Sequence, residues 1–343
     1  VRDRPAGVAI GVAERPTRWE NEPVEPDELY RELFCEIYDC SPAELGFQIA
    51  TATSEASPRL LAHLALARAT GPATAISFAA QLDTLRVIDR RLGAPTALCQ
   101  VRAIGSSIEE VLIHSLTSSV RESLAAVLAD TASLAGWQTL DLGDLEQSWK
   151  WHELAKSAAR EAGDTARLAH ATGQQSCLLM DLGLASDAVQ LARSASERGR
   201  GRVPAVLETW LAATEAEACA AAGDHYGMHR ALDLASSALP TGDATKELPY
   251  VALDDAHLSR WRGSTLTRIG DQEATTELLD AVEIMDGTFV RAWAGMECDL
   301  AAAFLVRGER VEARAHAQSA RMLAKQTGSV RQRRRVEALG LVA

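Results

Sequence analysis

From residue 73 onward, apolar residues recur at three- and four-residue spacing between short polar corners, and no Val/Ile/Thr alternation marks a strand. The pattern predicts helices throughout. Residues 73–92 and 95–116 read as two amphipathic helices, with Ile76, Ala80, Leu82, Leu85, Ile88 and Leu92 on one stripe of the first. Corner glycines then set a rhythm: Gly143, Gly183, Gly223, Gly270 and Gly308, followed by Asp144, Leu184, Asp224, Asp271 and Glu309. Their intervals are 40, 40, 47 and 38 residues, the long one holding Pro240, Gly242 and Pro249 in a loop. Seven residues before each corner stands Gly136, Ser176, Ala216, Gly263 or Ala301, all small, as a close crossing of two helices requires. Four residues before stand Thr139, Leu179, Cys219, Leu266 and Phe304, mostly core-sized. Residues 136–164 hold one such unit: a helix end, the Gly143-Asp144 corner, a second helix and the Gly163-Asp164 corner. A hairpin of this kind leaves an apolar edge unmatched and needs a neighbour like itself.

This spacing resembles the tetratricopeptide repeat, although the units are longer than its usual ~34 residues. Ala135 to Asp144, Ala220 to Asp224 and the junction from Pro249-Tyr250 to Asp254-Asp255-Ala256-His257-Leu258 are similar to actinobacterial regulators that join an Xre-type helix-turn-helix domain to such repeats. The resemblance implies an all-α fold: a right-handed superhelical array of helical hairpins over residues 73–343. It also implies that the first helix of each pair lines the concave side, thirteen, ten, six and three residues before the corner glycine. Those registers gather Trp137, His170, Trp210, Glu217, His257 and Arg260 as candidate ligand-binding residues, with Asp130, Ser133, Cys177, Ser264 and Gly295 among their companions. The innermost register would add Leu140, Met180, Ala220, Thr267 and Leu305.

Residues 1–47 differ. Gly11-Val12, Arg18-Trp19-Glu20, Pro26, a helix over 27–38 and Ser41-Pro42-Ala43-Glu44-Leu45 resemble the second half of a Cro/repressor-type helix-turn-helix domain. That resemblance would make Arg15, Thr17 and Arg18 a DNA-reading edge. The segment departs from the pattern in three ways. Little chain precedes Gly11, Pro16 stands where a helix interior belongs, and five Arg face eleven Asp/Glu, a balance of −6. A proline inside a helix costs on the order of 3 kcal/mol, and phosphate binding wants positive charge. The segment therefore reads as partial or degenerate. Residues 48–72 read as a linker with a short helix at 59–68.

The formal charge of −12 over 343 residues would repel nucleic acid and anionic membranes except at a local basic patch. Lys325, Arg331, Arg333, Arg334 and Arg335 form one, either a phosphate contact or the charged outer face of a capping helix. The cysteines at 35, 40, 99, 177, 219 and 298 form no C-x-x-C and read as small buried residues. His225 and His229 have a metal-binding spacing but no accompanying H-E-x-x-H, so an exposed helix face is expected there. Trp149 and Trp151 cannot share a helix face, so one is expected at the surface or a subunit contact. Phosphate-loop, dinucleotide and nucleophile-elbow motifs are missing, and neither metal nor cofactor is expected. With no leader and no membrane span, a cytoplasmic setting is expected.

These features point first to a regulator, expected as a homodimer, whose groove binds a small molecule or peptide and controls transcription. Two alternatives stay open. One is a protein-binding scaffold without DNA binding. The other is an enzyme working in the same groove, with Glu217, His170 or His257 as general acid or base.

Overall fold

The computed structural model describes residues 28–41, 44, 45, 47, 57–242 and 248–341. Among them are fifteen helices and no strand, the all-α class that the periodicity predicts. None of these helices is long and apolar enough to cross a membrane. The chain divides into two compact units, residues 1–62 and 63–343. In the first, α1 (Glu28–Tyr38) stacks Phe34 on Tyr38, with ring centroids 6.1 Å apart. Ser41 then closes a turn by donating from its amide (2.8 Å) and hydroxyl (2.7 Å) to the Glu44 carboxylate. The candidate DNA-reading residues Arg15, Thr17 and Arg18, and most of the region read as a linker, lie outside the described residues. The short helix expected at 59–68 is α2 (Pro58–Ala69).

The remaining helices come in hairpins. They are α3 (Pro72–Leu92) with α4 (Ala94–His114), α5 (Ser118–Asp141) with α6 (Leu145–Glu161), and α7 (Thr165–Asp181) with α8 (Ala185–Gly199). Next come α9 (Ala205–Ala221) with α10 (His225–Ala238), α11 (Asp255–Ile269) with α12 (Ala274–Ile284), and α13 (Val290–Val306) with α14 (Arg310–Thr327). A last short helix, α15 (Val330–Ala338), follows.

The corners follow one plan. Gly143, Gly183, Gly223, Gly270 and Gly308 have φ of 78°, 76°, 74°, 72° and 79°, a left-handed conformation that costs glycine little. At each, the amide after the glycine donates back to the residue four before it: Asp144 to Thr139, Leu184 to Leu179, Asp224 to Cys219, Asp271 to Leu266 and Glu309 to Phe304. This is the Schellman closure, and it explains why those acceptor positions are core-facing and buried. Asp144 and Asp224 then cap the following helices, accepting from the amides of Gln147 (3.2 Å) and Gly227 (2.8 Å). Asp164 does the same for Arg167 (2.8 Å). The five small residues seven before the corners are all buried at helix crossings.

The first helices of successive hairpins pack on one another from α5 through α7, α9 and α11 to α13. α13 then packs on α3, and α3 on α5, so this unit closes on itself. That closure alters how α3 is used. Leu82 and Leu85 of its predicted stripe are buried, but Ile76 is 70% and Leu92 50% exposed. Its polar face turns inward instead, leaving Arg86 6% and Asp89 1% exposed.

Other expectations are corrected at the same level. α15 is no solvated cap: Arg333 and Arg334 face solvent, while Arg331 and Arg335 turn into the array. Of the six cysteines only Cys177, Cys219 and Cys298 are buried. Trp149 is 41% exposed, whereas Trp151 packs partly buried against the core. His225 and His229 are exposed, as their isolation implies.

Two helical glycines separate close packing from mere tolerance. A Cβ on Gly136 would lie 2.7 Å from the buried His152 ring, whereas one on Gly105 would meet nothing nearer than 3.6 Å. Gly136→Ala should therefore destabilise the fold by roughly 1–3 kcal/mol. Gly105→Ala should stabilise it by about 0.5–1 kcal/mol through helix propensity. Urea midpoints moving in the same direction for both would contradict this packing.

Candidate functional site

Trp137 of α5, His170 of α7, Trp210 and Glu217 of α9, and His257 and Arg260 of α11 all line one cavity of about 210 Å³. The cavity is surrounded by the first helices of the hairpins, and the six candidates meet there because the corners hold those helices in one register. The outermost register contributes at every repeat, with Asp130, His170, Trp210, His257 and Gly295. The innermost does not contribute. Leu140, for instance, is 1% exposed and packs with Cys177 and Leu178 between neighbouring helices.

Further lining residues come from outside the repeat register: Arg86, Asp89 and Arg90 of α3, Tyr250 from the long loop, and Arg331, Gln332 and Arg335 of α15. The basic run near the C-terminus was visible in the sequence, but its inward side was not. Nothing in the polar positions of α3 distinguishes a solvated face from one buried against α13.

One wall is aromatic. The His170 ring lies between Trp210 and Tyr250, with centroids 4.9 and 4.8 Å away. Trp261 meets Trp210 edge-on at 6.2 Å, and Phe289 meets His257 edge-on at 4.7 Å. Guanidinium groups cover several faces: Arg291 and Arg331 stand 5.6 and 5.7 Å from Trp137, and Arg86 and Arg167 stand 5.9 and 5.7 Å from Tyr250. Such pairs are worth more where water is excluded, up to about 2 kcal/mol.

The other wall is a set of buried ion pairs. Asp89 meets Arg291 at 2.6 Å and accepts from Gln138 at 3.0 Å. Asp130 meets Arg167 at 2.9 Å and Arg86 at 3.5 Å. Glu217 meets Arg268 at 2.6 Å, Asp181 meets Arg331 at 2.6 Å, and Asp299 meets Arg335. Burial pushes the Asp89 and Asp130 carboxyls above their ordinary range despite those arginines. For Glu217, burial also pushes upward, but Arg268 and Arg331 prevail and hold it below the ordinary value. Burial pushes the Cys177 thiol up to about 12, so it is no nucleophile.

The histidines separate clearly. Burial, then the charge of Arg86, pushes His170 down to about 3, so its ring is neutral at physiological pH. His257 has Nδ1 2.7 Å from Asp254 Oδ1, while its buried Nε2 has no hydrogen-bond partner. Arg260 forms no ion pair, lies 5.4 Å from the Trp261 ring, and has a buried Nε without a partner. Among the described residues, no three His, Cys, Asp or Glu side chains are grouped to hold a metal ion.

Behind the cavity, burial also pushes His152 down to about 3. Unfolded, His152 and His170 would each take up a proton near pH 6.5. Their depressed folded values mean that their full contribution to stability is present above about pH 6.5 and lost as pH falls toward about 3. Between those limits, stability should drop by up to about 1.4 kcal/mol per pH unit for each ring. His152→Gln should make the decline shallower. Urea midpoints unchanged between about pH 7 and pH 5 would refute this linkage.

No family model matches the chain, and no curated protein matches it.

Proposed function

We propose that the chain is a small-molecule receptor whose occupied cavity acts on the N-terminal segment to control transcription. The observation that carries the receptor half is that buried polar atoms without a partner, Arg260 Nε and His257 Nε2 among them, belong to residues lining an aromatic-walled cavity. A buried donor or acceptor left unsatisfied costs roughly 1–3 kcal/mol, and a bound molecule with matching groups would recover that. Aromatic walls with a few convergent polar groups are the usual make-up of a small-ligand site. Packing of α13 on α3 favours a small molecule over an extended peptide, which would need an open groove. The transcriptional half rests on the resemblance of Gly11-Val12, Arg18-Trp19-Glu20 and Ser41 to Leu45 to a helix-turn-helix segment.

Thermal melting against a collection of small metabolites tests the first half. At a hundredfold excess over Kd, a binder should add about 2.7 kcal/mol of stability. Trp210→Ala should abolish the shift. A shift that survives this change, or a collection without a binder, would count against the cavity. DNA from the region upstream of the gene tests the second half, with salt-sensitive retardation expected. Its absence at low salt would leave a receptor without a DNA output.

A second reading, an acid/base enzyme, is favoured by the His257–Asp254 pair. The carboxylate orients the ring, and the free Nε2 is placed to accept a proton from a bound compound. The other two candidates fit less well: His170 holds a proton only below about pH 3, and Glu217 is tied to Arg268. Turnover of a bound compound, lost in His257→Asn while binding persists, would establish this reading. Binding without turnover would dismiss it.

A further inference from the structure

The charges around the cavity are unevenly paired. Its lining holds five carboxylates, at Asp89, Asp130, Asp141, Glu217 and Asp299. Four of these have an arginine partner, and the fifth, Asp141, accepts from the Ser329 hydroxyl at 2.6 Å. Against them the lining presents six guanidinium groups. Beyond the lining, Arg167 and Arg268 stand on one side, and Asp83, Asp181 and Asp254 on the other, the last held by His257.

The bonding shows which guanidinium is left without any partner. Arg291, Arg331 and Arg335 are each committed to a carboxylate, and Arg86 is shared between Asp83 and Asp130. Arg90 donates to the Pro249 carbonyl at 3.1 Å. Arg260 alone has neither an ion pair nor a hydrogen bond for its buried Nε. The acids that act on it, Asp299 and Glu217, are already held by Arg335 and Arg268. It stands beside Trp261, which in turn meets Trp210, so a free cation borders the flat aromatic wall.

We infer that the cavity takes a planar organic acid, its carboxylate on the Arg260 guanidinium and its flat body against Trp210 and Trp261. A guanidinium fork matches a carboxylate with two parallel N–H···O bonds, which an uncharged amide cannot reproduce. The lone buried cation is neutralised in the same step. The inference rests on the receptor reading above and narrows it to one ligand class.

The test uses matched acid and amide probes with one- and two-ring bodies: benzoate with benzamide, indole-3-acetate with indole-3-acetamide, and 1-naphthaleneacetate with its amide. Binding to the full chain is followed by calorimetry and tryptophan fluorescence. In at least one pair the acid should bind about tenfold or more tightly than its amide. Arg260→Gln should bring the acid down to the level of the amide and leave amide binding unchanged. Arg260→Lys should keep part of the preference, and an unaltered far-ultraviolet spectrum with both variants confirms the fold. Amides binding as well as their acids would overturn the ligand class and leave the receptor reading intact. So would an Arg260→Gln variant that loses both probes equally. If no acid or amide of any pair binds, the ligand class is overturned, and the melting screen decides the receptor reading separately.

Discussion

The contact between α13 and α3 turns an array of hairpins into a cavity. Arg291 reaches Asp89 at 2.6 Å, and Asp89 is 1% exposed, so the pair bridges the two ends of the array in a place water barely reaches. An isolated buried carboxylate would pay a desolvation penalty of several kcal/mol. Gln138 shares the load by donating to the same group, and the remaining burial still raises its proton affinity. Such a pair adds less net stability than its Coulomb attraction suggests, but breaking it is costly, because the surviving charge stays buried. With both partners present, only the closed arrangement satisfies them.

The same constraint explains what could be read from the sequence and what could not. Repeat register is local: a left-handed glycine, an amide bonding back to a core residue and a small residue one helical step further in. Each leaves a mark at a fixed offset, so Gly143 and its four counterparts located the corners, and the six candidate residues fell into one cavity. Closure is not local. It depends on residues about two hundred positions apart, such as Asp89 with Arg291 and Asp141 with Ser329, and neither partner carries a signal of its own. Hence α3 reads as an amphipathic helix with a wet polar face, when that face is buried. Hence also the basic run of α15 reads as one solvated surface, when its first and last arginines, Arg331 and Arg335, point inward to Asp181 and Asp299.

The innermost register marks a different limit. The offset rule carried over from the resemblance places Leu140 and Met180 on the lining, but these helices are close enough there for Leu140 to pack against Cys177 and Leu178. A rule derived for an open concave face counts positions that a closed one buries. Tightening the array removes the deepest row from the surface and leaves the cavity to the rows nearer the helix N-termini. Those rows carry Trp210, His170 and His257, together with loop residue Tyr250, so the tightening concentrates the aromatic groups.

An acidic protein of net charge −12 is a surprising host for an anion, and the distances involved decide the matter. At physiological salt the Debye length is about 8 Å, so charges scattered over the outer helices are largely screened from a molecule inside. Within the cavity screening is weak, and the effective dielectric falls from that of water to about 20 or below. A single guanidinium in hydrogen-bonding contact then outweighs many remote carboxylates. The negative exterior would slow the approach of an anion, whereas the interior would set how long it stays. Affinity differences among related complexes reside mostly in the dissociation rate. A cavity with one arginine that has neither ion pair nor hydrogen bond can therefore select an acid even though the molecule around it carries the same sign of charge.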